Sequence, residues 1–384
     1  MTGVVVSSRG AGRWRAGHPW IYRSDVLSER DAAAGVVAVS DPSGRYLGRA
    51  LYSPRSEIRL RLLTRKDQAI DAAWWSRGIW AARQRREEVT STAYRVVHGE
   101  GDGLPSLIVD VYGPYAVAQL LSAGLEARRE DVVKAIAEVL APRGLLLRND
   151  VPIRRHEDLP QRAEMVLGTV PDEVEVEEHG IRYLAAPHSG QKTGAFLDQR
   201  ENRAVAGALA RGRALDVFTY QGNFALHMAG RSESVLAVDS SSDALIRGRA
   251  NASLNGLTNI EWLQANAFDL LRELESREVI FDVIVLDPPA FVKSKSHLRR
   301  GLAGYKEINL RAMRLLAPGG HLLTFSCSYH VSRARFLDML ADAAADSGHR
   351  LALERMLGQP ADHPELLTVP ETGYLKGGLL RRVG

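Results

Sequence analysis

The 384-residue sequence predicts an α/β protein in three parts. A small β-rich domain is expected over residues 1–68 and a small α/β domain over 69–186. Residues 187–384 should form a mainly parallel sheet covered by helices on both faces. Three observations predict this. The length exceeds the usual range of one domain. Short alternating or β-branched runs crowd the first 66 residues. After Ala186, strand-like and helix-like stretches alternate regularly, the pattern of a doubly covered sheet that binds ligands at the carboxyl ends of its strands.

In the first part the strand runs are Val4-Val5-Val6, Gly35 to Val39, Tyr46 to Tyr52 and the strictly alternating Ile58-Arg59-Leu60-Arg61-Leu62, with a turn at Asp41-Pro42-Ser43-Gly44. From Asp71 the pattern turns helical, and its Trp74, Trp75, Ile79 and Trp80 read as a seal against a neighbouring layer. The middle part has expected strands near Tyr94–Val97, Leu107–Tyr112, Val117–Leu121 and Leu145–Arg148, and a helix near Glu126–Leu140. The acidic stretch Pro171 to Glu178 meets His179-Gly180 and continues as Ile181 to Leu184, which reads as a solvent-faced hairpin linking two domains. Beyond it, strands are expected at Ala214–Phe218, Val235–Val238, Ile260–Leu263, Phe281–Leu286 and His321–Phe325. Helices are expected near Ala204–Ala210, Asp243–Asn255, Phe268–Leu274 and Tyr305–Leu316.

The net charge is +4 and the pI about 9.2, but the distribution matters more. Residues 1–66 hold twelve Arg or Lys against five Asp or Glu, so the other 318 residues sum to −3. A basic front of this kind is either a solvated face or a surface for a polyanion. Within it Arg13, Arg15, His18 and Arg23 lie among Trp14, Trp20 and Tyr22, where cations could meet phosphates and rings could stack on bases. Trp20 and Tyr22 read first as core strand residues, which leaves the arginines as the better RNA candidates. A single cysteine, Cys327, excludes an intrachain disulfide and a multi-cysteine zinc site, and no metal is expected. No apolar run approaches the roughly 18 residues of a membrane span. The N-terminus runs from three valines into Arg9, Arg13 and Arg15 without a secretory h-region, so a cytoplasmic protein is expected.

The first strand of the large domain ends in Asp216-Val217-Phe218-Thr219-Tyr220-Gln221-Gly222, and the second in Val238-Asp239-Ser240. An acid closing the second strand suits a ribose diol, since a carboxylate accepts from both hydroxyls; the other reading is an acid capping the next helix. The loop has Gly222 alone instead of a dinucleotide-binding G-x-G-x-x-G, and Asp216 would repel a pyrophosphate. S-adenosylmethionine, with its cationic amino-acid end, fits better. After the third strand, Asn266 and the Ala267 amide could read an adenine edge. Phe218, Tyr220, Ser240 and, after the fourth strand, Asp287 complete the expected cofactor pocket.

The fourth strand ends in Asp287-Pro288-Pro289-Ala290-Phe291, where two prolines stiffen the backbone and hold Asp287 at the sheet edge to grip a base. The fifth ends in Ser326-Cys327-Ser328. Carbon 5 of cytosine is a poor nucleophile until a thiolate adds to carbon 6, so a thiol at this place suits that chemistry. A cysteine near a strand end is otherwise an inert small hydrophobe. Asp287 is also the expected hydrogen-bond partner of the base, while Lys306 and His330 are further groups that could handle a proton.

Several motifs together resemble the bacterial 23S ribosomal RNA cytosine-5 methyltransferases: Arg15 to Tyr22, His98-Gly99-Glu100-Gly101-Asp102-Gly103-Leu104-Pro105, Gly190 to Arg203, Asp287 to Phe291 and Ser326-Cys327-Ser328. The resemblance runs nearly end to end. It implies a PUA RNA-binding domain at the front, a small α/β domain, and a Rossmann-like class I methyltransferase domain. It also implies Gln199 and Arg200 beside the cofactor, Cys327 as nucleophile, 23S ribosomal RNA, naked or in an assembly intermediate, as partner, and a homodimer. Lys192, in the same motif, joins the RNA-binding candidates. The commonest RNA cytosine-5 enzymes carry a second cysteine just after the proline pair; here Ala290 stands there, so another group must resolve the adduct. Two alternatives stay open at this point. One is a methyltransferase of guanine or an exocyclic nitrogen, which needs no cysteine. The other is a non-catalytic RNA-binding or ribosome-assembly module with a vestigial cofactor fold.

Overall fold

The computed structural model describes residues 3–384; Met1 and Thr2, at the head of the expected β-rich domain, lie outside the described residues. The chain forms two compact units. One comprises the chain up to Val176 with Ala185–Leu197 and Ala361–Thr372; the other comprises Glu177–Leu184, Asp198–Pro360 and Gly373–Gly384.

The first unit holds two sheets. In the six-stranded one the order is Trp20–Tyr22, Ile58–Thr64, Tyr46–Tyr52, Gly35–Ser40, Gly3–Val6 and Val26–Ser28. Val4, Val6, Trp14, Ile21, Val37, Val39 and Leu60 form its core. An unexpected helix, Ser8–Arg15, starts where the Ser7 hydroxyl accepts from Gly10 N. Two glycines in eight residues mask it in the sequence. The alternating strand Ile58–Thr64 does not turn its arginines to water: Arg61 is buried and pairs with buried Glu157 at 2.9 Å. The five-stranded sheet runs Ala163–Gly168, Gly144–Arg148, Tyr115–Leu120, Leu107–Tyr112 and Ala93–His98. Helices Ala72–Gln84 and Arg129–Leu140 bury Trp75, Ile79, Val132 and Ile136 against it, whereas Trp80 is exposed. The glycine-rich motif after His98 is a clasp, in which Asp102 accepts two bonds of 2.6 Å from Arg86 and one of 2.6 Å from His98 N.

The second unit is built on one seven-stranded sheet, in the order Ile260–Gln264, Ser234–Asp239, Arg213–Val217, Phe281–Leu286, Leu316–Ser326, Lys376–Arg382 and Leu351–Leu357. The first five are parallel and match the expected strands; Lys376–Arg382 is antiparallel to both its neighbours. Leu215, Ile284, Leu286, Tyr305 and Ile308 pack on one face, and Val283, Val285, Phe224, Met228 and Phe325 on the other. The hairpin turns through His179 at φ 49° and Gly180 at φ 79°, but it is not wholly solvent-faced. Val174, Val176 and Glu178 share a buried face, and Glu178 accepts from Arg203 at 2.7 and 2.8 Å. A buried carboxylate needs such a partner.

Candidate active site at the carboxyl edge of the sheet

Strand Arg213–Val217 runs into a turn that is left-handed at alternate positions, with φ of 65° at Phe218, 52° at Tyr220 and 80° at Gly222. Only the last has no side-chain alternative, because a Cβ on Gly222 would sit 2.3 Å from the Trp262 ring. The turn is tied to the next strand by Thr219 N to Val238 O at 2.9 Å and by Tyr220 N to Asp239 Oδ2 at 2.9 Å. Asp239 also accepts from Ser241 N, and it is Ser241, not Asp239, that caps helix Ser242–Leu254. The half-buried Asp239 therefore holds the loop against the strand end, with exposed Ser240 beside it.

Asp216 lies beneath this turn, fully buried. Its Oδ2 accepts from Thr219 Oγ1 and, at 3.0 Å, from Ala225 N, while its Oδ1 has no partner among the described residues. Burial first, with the charges of Asp287 and Asp239 adding to it, pushes this carboxyl up to about 7 in spite of the lowering bonds from Thr219 and Ala225 N. An orphaned acceptor flanked by two more acids is suited to a cationic group. At the third strand end, Asn266 caps helix Ala267–Ser276 by accepting from Phe268 N at 2.9 Å and Asp269 N at 3.3 Å. Its oxygen is thus already engaged, which leaves its amide group and the Ala267 N–H of the first turn as donors. Gln199 and Arg200 are buried at the start of helix Arg200–Leu209, where the Gln199 side-chain carbonyl accepts from Asn202 at 2.6 Å.

Asp287 follows Phe281–Leu286 and is half-buried, with Pro288 buried behind it. Cys327 follows Leu316–Ser326 as a half-buried thiol outside any disulfide. Its neighbour Ser328 stitches the two strand ends together: the Ser328 hydroxyl receives Val292 N at 3.1 Å and shares a hydrogen bond of 2.9 Å with Tyr305. Lys376 Nζ, buried, donates to Ser328 O at 2.8 Å and Tyr374 O at 2.7 Å. Burial pushes the Tyr305 phenol up, with Cys327 among the groups adding to the rise. Sequence reasoning missed Tyr305, Ser328 and Lys376 as supports; a lone lysine inside an apolar, glycine-bearing run was the available signal.

This arrangement matches known proteins. Residues 133–381 fit the family described as S-adenosylmethionine-dependent methyltransferase, and residues 4–65 fit a PUA-like domain. A Tolumonas auensis protein named ribosomal RNA large subunit methyltransferase I is 40% identical over 379 residues, covering 95% of this chain and 96% of that one. Its Pseudoalteromonas atlantica namesake is 38% identical over 371 residues, covering 94% of each. The chain belongs to the S-adenosylmethionine-dependent methyltransferases. Its cofactor is S-adenosylmethionine, and its sheet is the Rossmann-like platform of that family. A solved Streptococcus mutans structure, described as a methyltransferase of the same kind, has the same fold, with a TM-score of 0.84 over 99% of this chain and 100% of that one at 20% identity.

The RNA-binding candidates of the methyltransferase lie in the first unit. Arg13 is half-buried with its guanidinium 4.7 Å from the Tyr22 ring centre, and Arg15 is exposed. Arg23 is exposed 3.8 Å from Glu57. His18 is engaged by Glu371 at 3.2 Å and by Trp20 N at 3.2 Å. Lys192 stands over the Phe196 ring at 4.9 Å, beside Thr193, whose buried hydroxyl anchors the segment to Asp110 and Tyr112. In the second unit Lys306 pairs with Asp346 at 2.7 Å. Among the described residues, no helix is long and apolar enough to cross a membrane, and no group of three or more His, Cys, Asp or Glu side chains could hold a metal.

Proposed function

We propose that this methyltransferase modifies carbon 5 of a cytosine in 23S ribosomal RNA through a covalent adduct with Cys327. The observation that carries the reading is the position of the sequence's one thiol, half-buried at the carboxyl edge of the sheet and fastened through Ser328 to the chain following Asp287-Pro288-Pro289. The names of the relatives, which specify RNA of the large ribosomal subunit, support the substrate class.

When bound, S-adenosylmethionine supplies an electrophilic methyl group. Asp216 would take its cationic amino-acid end, Asp239 its ribose hydroxyls and the Ala267 N–H its adenine edge, with Phe218, Tyr220, Gly222, Ser240, Asn266, Gln199 and Arg200 shaping the pocket. Asp287 and the Pro288 carbonyl hold the polar edge of cytosine. The Cys327 thiolate would then add to carbon 6, which puts electron density on carbon 5 for bond formation to the methyl as the methyl–sulfur bond breaks and the thioether departs. Loss of the carbon 5 proton to a base lets the sulfur–carbon bond break and returns the thiolate. Ala290 cannot be that base, and Lys306 is engaged by Asp346, so Asp287, His330 or water remains.

Arg13, Arg15, His18, Arg23 and Lys192 contribute to holding the RNA. The same reading places the enzyme in the cytoplasm, on naked RNA or an assembly intermediate, as a homodimer. The decisive test is mass spectrometry of nucleosides from 23S RNA incubated with enzyme and cofactor. It should yield 5-methylcytidine. A methylated guanosine or an N-methylated base would overturn the reading.

A further inference from the structure

A basic run begins directly beyond the proline pair. Between Asp287 and Glu307 the chain carries Lys293, Lys295, Arg299, Arg300 and Lys306 and no acid, although residues 67–384 sum to −3. Lys306 is paired with Asp346. The other four are exposed, and none of their side chains makes an ion pair or hydrogen bond among the described residues. Nearby helical cations behave differently: Arg272 pairs with Glu307, and Arg311 and Arg314 with Glu275.

The placement also runs against local stability. Arg299 and Arg300 occupy the first turn of helix Leu298–Arg314, which has no acid there and no side-chain cap from His297. Cations at a helix N-terminus are unfavourable by about 0.3–1 kcal/mol each, whereas an anion there is welcome. Both ends of the run are meanwhile held rigidly. Val292 is buried and donates to Ser328, the residue after Cys327. Phe291 packs 4.7 Å from Tyr305, and Gly301 comes so close that a Cβ would stand 2.4 Å from Val292. An unpaired cationic loop is therefore fixed beside the thiol.

We propose that Lys293, Lys295, Arg299 and Arg300 form a clamp for RNA phosphates, taking the backbone of the single-stranded segment that flanks the target nucleotide. The proposal rests on the RNA-methylating reading above. Chemistry on a base requires it to leave its stack, which brings the adjoining phosphates close to the reacting thiol. Four cations beside the thiol and a helix N-terminus meet that need through charge, without reading sequence.

The test uses the full-length enzyme with Lys293→Ala, Lys295→Ala, Arg299→Ala and Arg300→Ala combined, and an unmodified 23S RNA fragment containing the target. The salt dependence of binding should fall by about 0.7 in log–log slope for each phosphate no longer neutralised, hence by about 2 to 3 in total. The RNA KM should rise roughly tenfold or more, with a smaller change in kcat, and cofactor affinity and melting temperature should hold. A second variant, Lys293→Arg, Lys295→Arg, Arg299→Lys and Arg300→Lys, keeps the charge and should bind within about threefold of wild type. An unchanged slope and KM in the alanine variant would overturn the clamp, as would an equal loss in the charge-keeping variant. Wild-type enzyme in the same assay separates the two claims. If it fails to methylate cytosine in the fragment, the functional reading is at fault; if it succeeds and the alanine variant matches it, only the clamp is.

Discussion

Replacing Asp216 by asparagine should make the cofactor-free protein more stable above pH 7 and remove a pH dependence from it. The carboxyl is fully buried and raised from 3.8 to about 7, by burial first and by the facing charges of Asp287 and Asp239 besides. Between those values the folded protein holds a proton that the unfolded chain has released. Stability from this group is therefore intact below pH 3.8 and falls as pH rises to 7, by about 4 kcal/mol in all. The carbonyl of the introduced amide can still accept from Thr219 and Ala225 N, so packing is conserved. In urea melts the variant's advantage should grow from near zero at pH 4 to about 4 kcal/mol at pH 8. Cofactor binding should show the opposite face of the same carboxyl. Wild-type affinity should weaken below pH 7, by up to about tenfold per pH unit, because the cationic end must displace a proton, and the variant should bind weakly at every pH. Parallel stability profiles for the two proteins would refute this account of Asp216.

Other outcomes follow from the same geometry. Gly222→Ala forces a side chain into the Trp262 ring at φ 80°, and should lower stability by about 1–3 kcal/mol and abolish cofactor binding, read by calorimetry. Asp239→Ala should weaken S-adenosylmethionine by about 1–3 kcal/mol, and an unchanged dissociation constant would move the ribose contact elsewhere. Combined Arg13→Ala, Arg15→Ala and Arg23→Ala should lower the salt slope of RNA binding by about 2 while cofactor affinity holds; an equal slope would make these residues a solvated face. Point variants serve better than deleting residues 1–68, which would strand buried Glu157 without Arg61.

Four of the parallel strands were legible as largely buried apolar runs, whereas the edge strand Ile260–Gln264 has none of its residues buried; Phe281–Leu286 has the limits its sequence suggests. The motifs at their ends followed, since the carboxyl edge is where such a sheet binds ligands. What stayed hidden has specific causes. Helix Asn223–Ala229 is seven residues long, too short to display a helical period. Strand Lys376–Arg382 opens with a lysine and two glycines, which read as a loop. Yet Gly377 must lack a side chain, because a Cβ would come 2.5 Å from Phe325. Glu178 looks solvent-bound within an acidic run, and its neutralising partner Arg203 lies on a helix that sequence distance conceals. Asn266 reads in sequence as an adenine acceptor, while its place just before a helix makes its oxygen a cap. Paired, buried side chains are a tertiary property, and periodicity carries no trace of them.

The covalent role of Cys327 is tested most directly with RNA bearing 5-fluorocytidine at the target position. Fluorine cannot leave as the carbon 5 proton does, so the enzyme should methylate once and remain attached, giving a protein–RNA band on a denaturing gel. Cys327→Ala should give no band and no turnover with its melting curve intact, because the half-buried thiol contributes little packing, and Cys327→Ser should behave nearly the same, since a hydroxyl is hardly ionised near neutral pH. Normal 5-methylcytidine formation by Cys327→Ala, or a band that persists in it, would contradict the assignment.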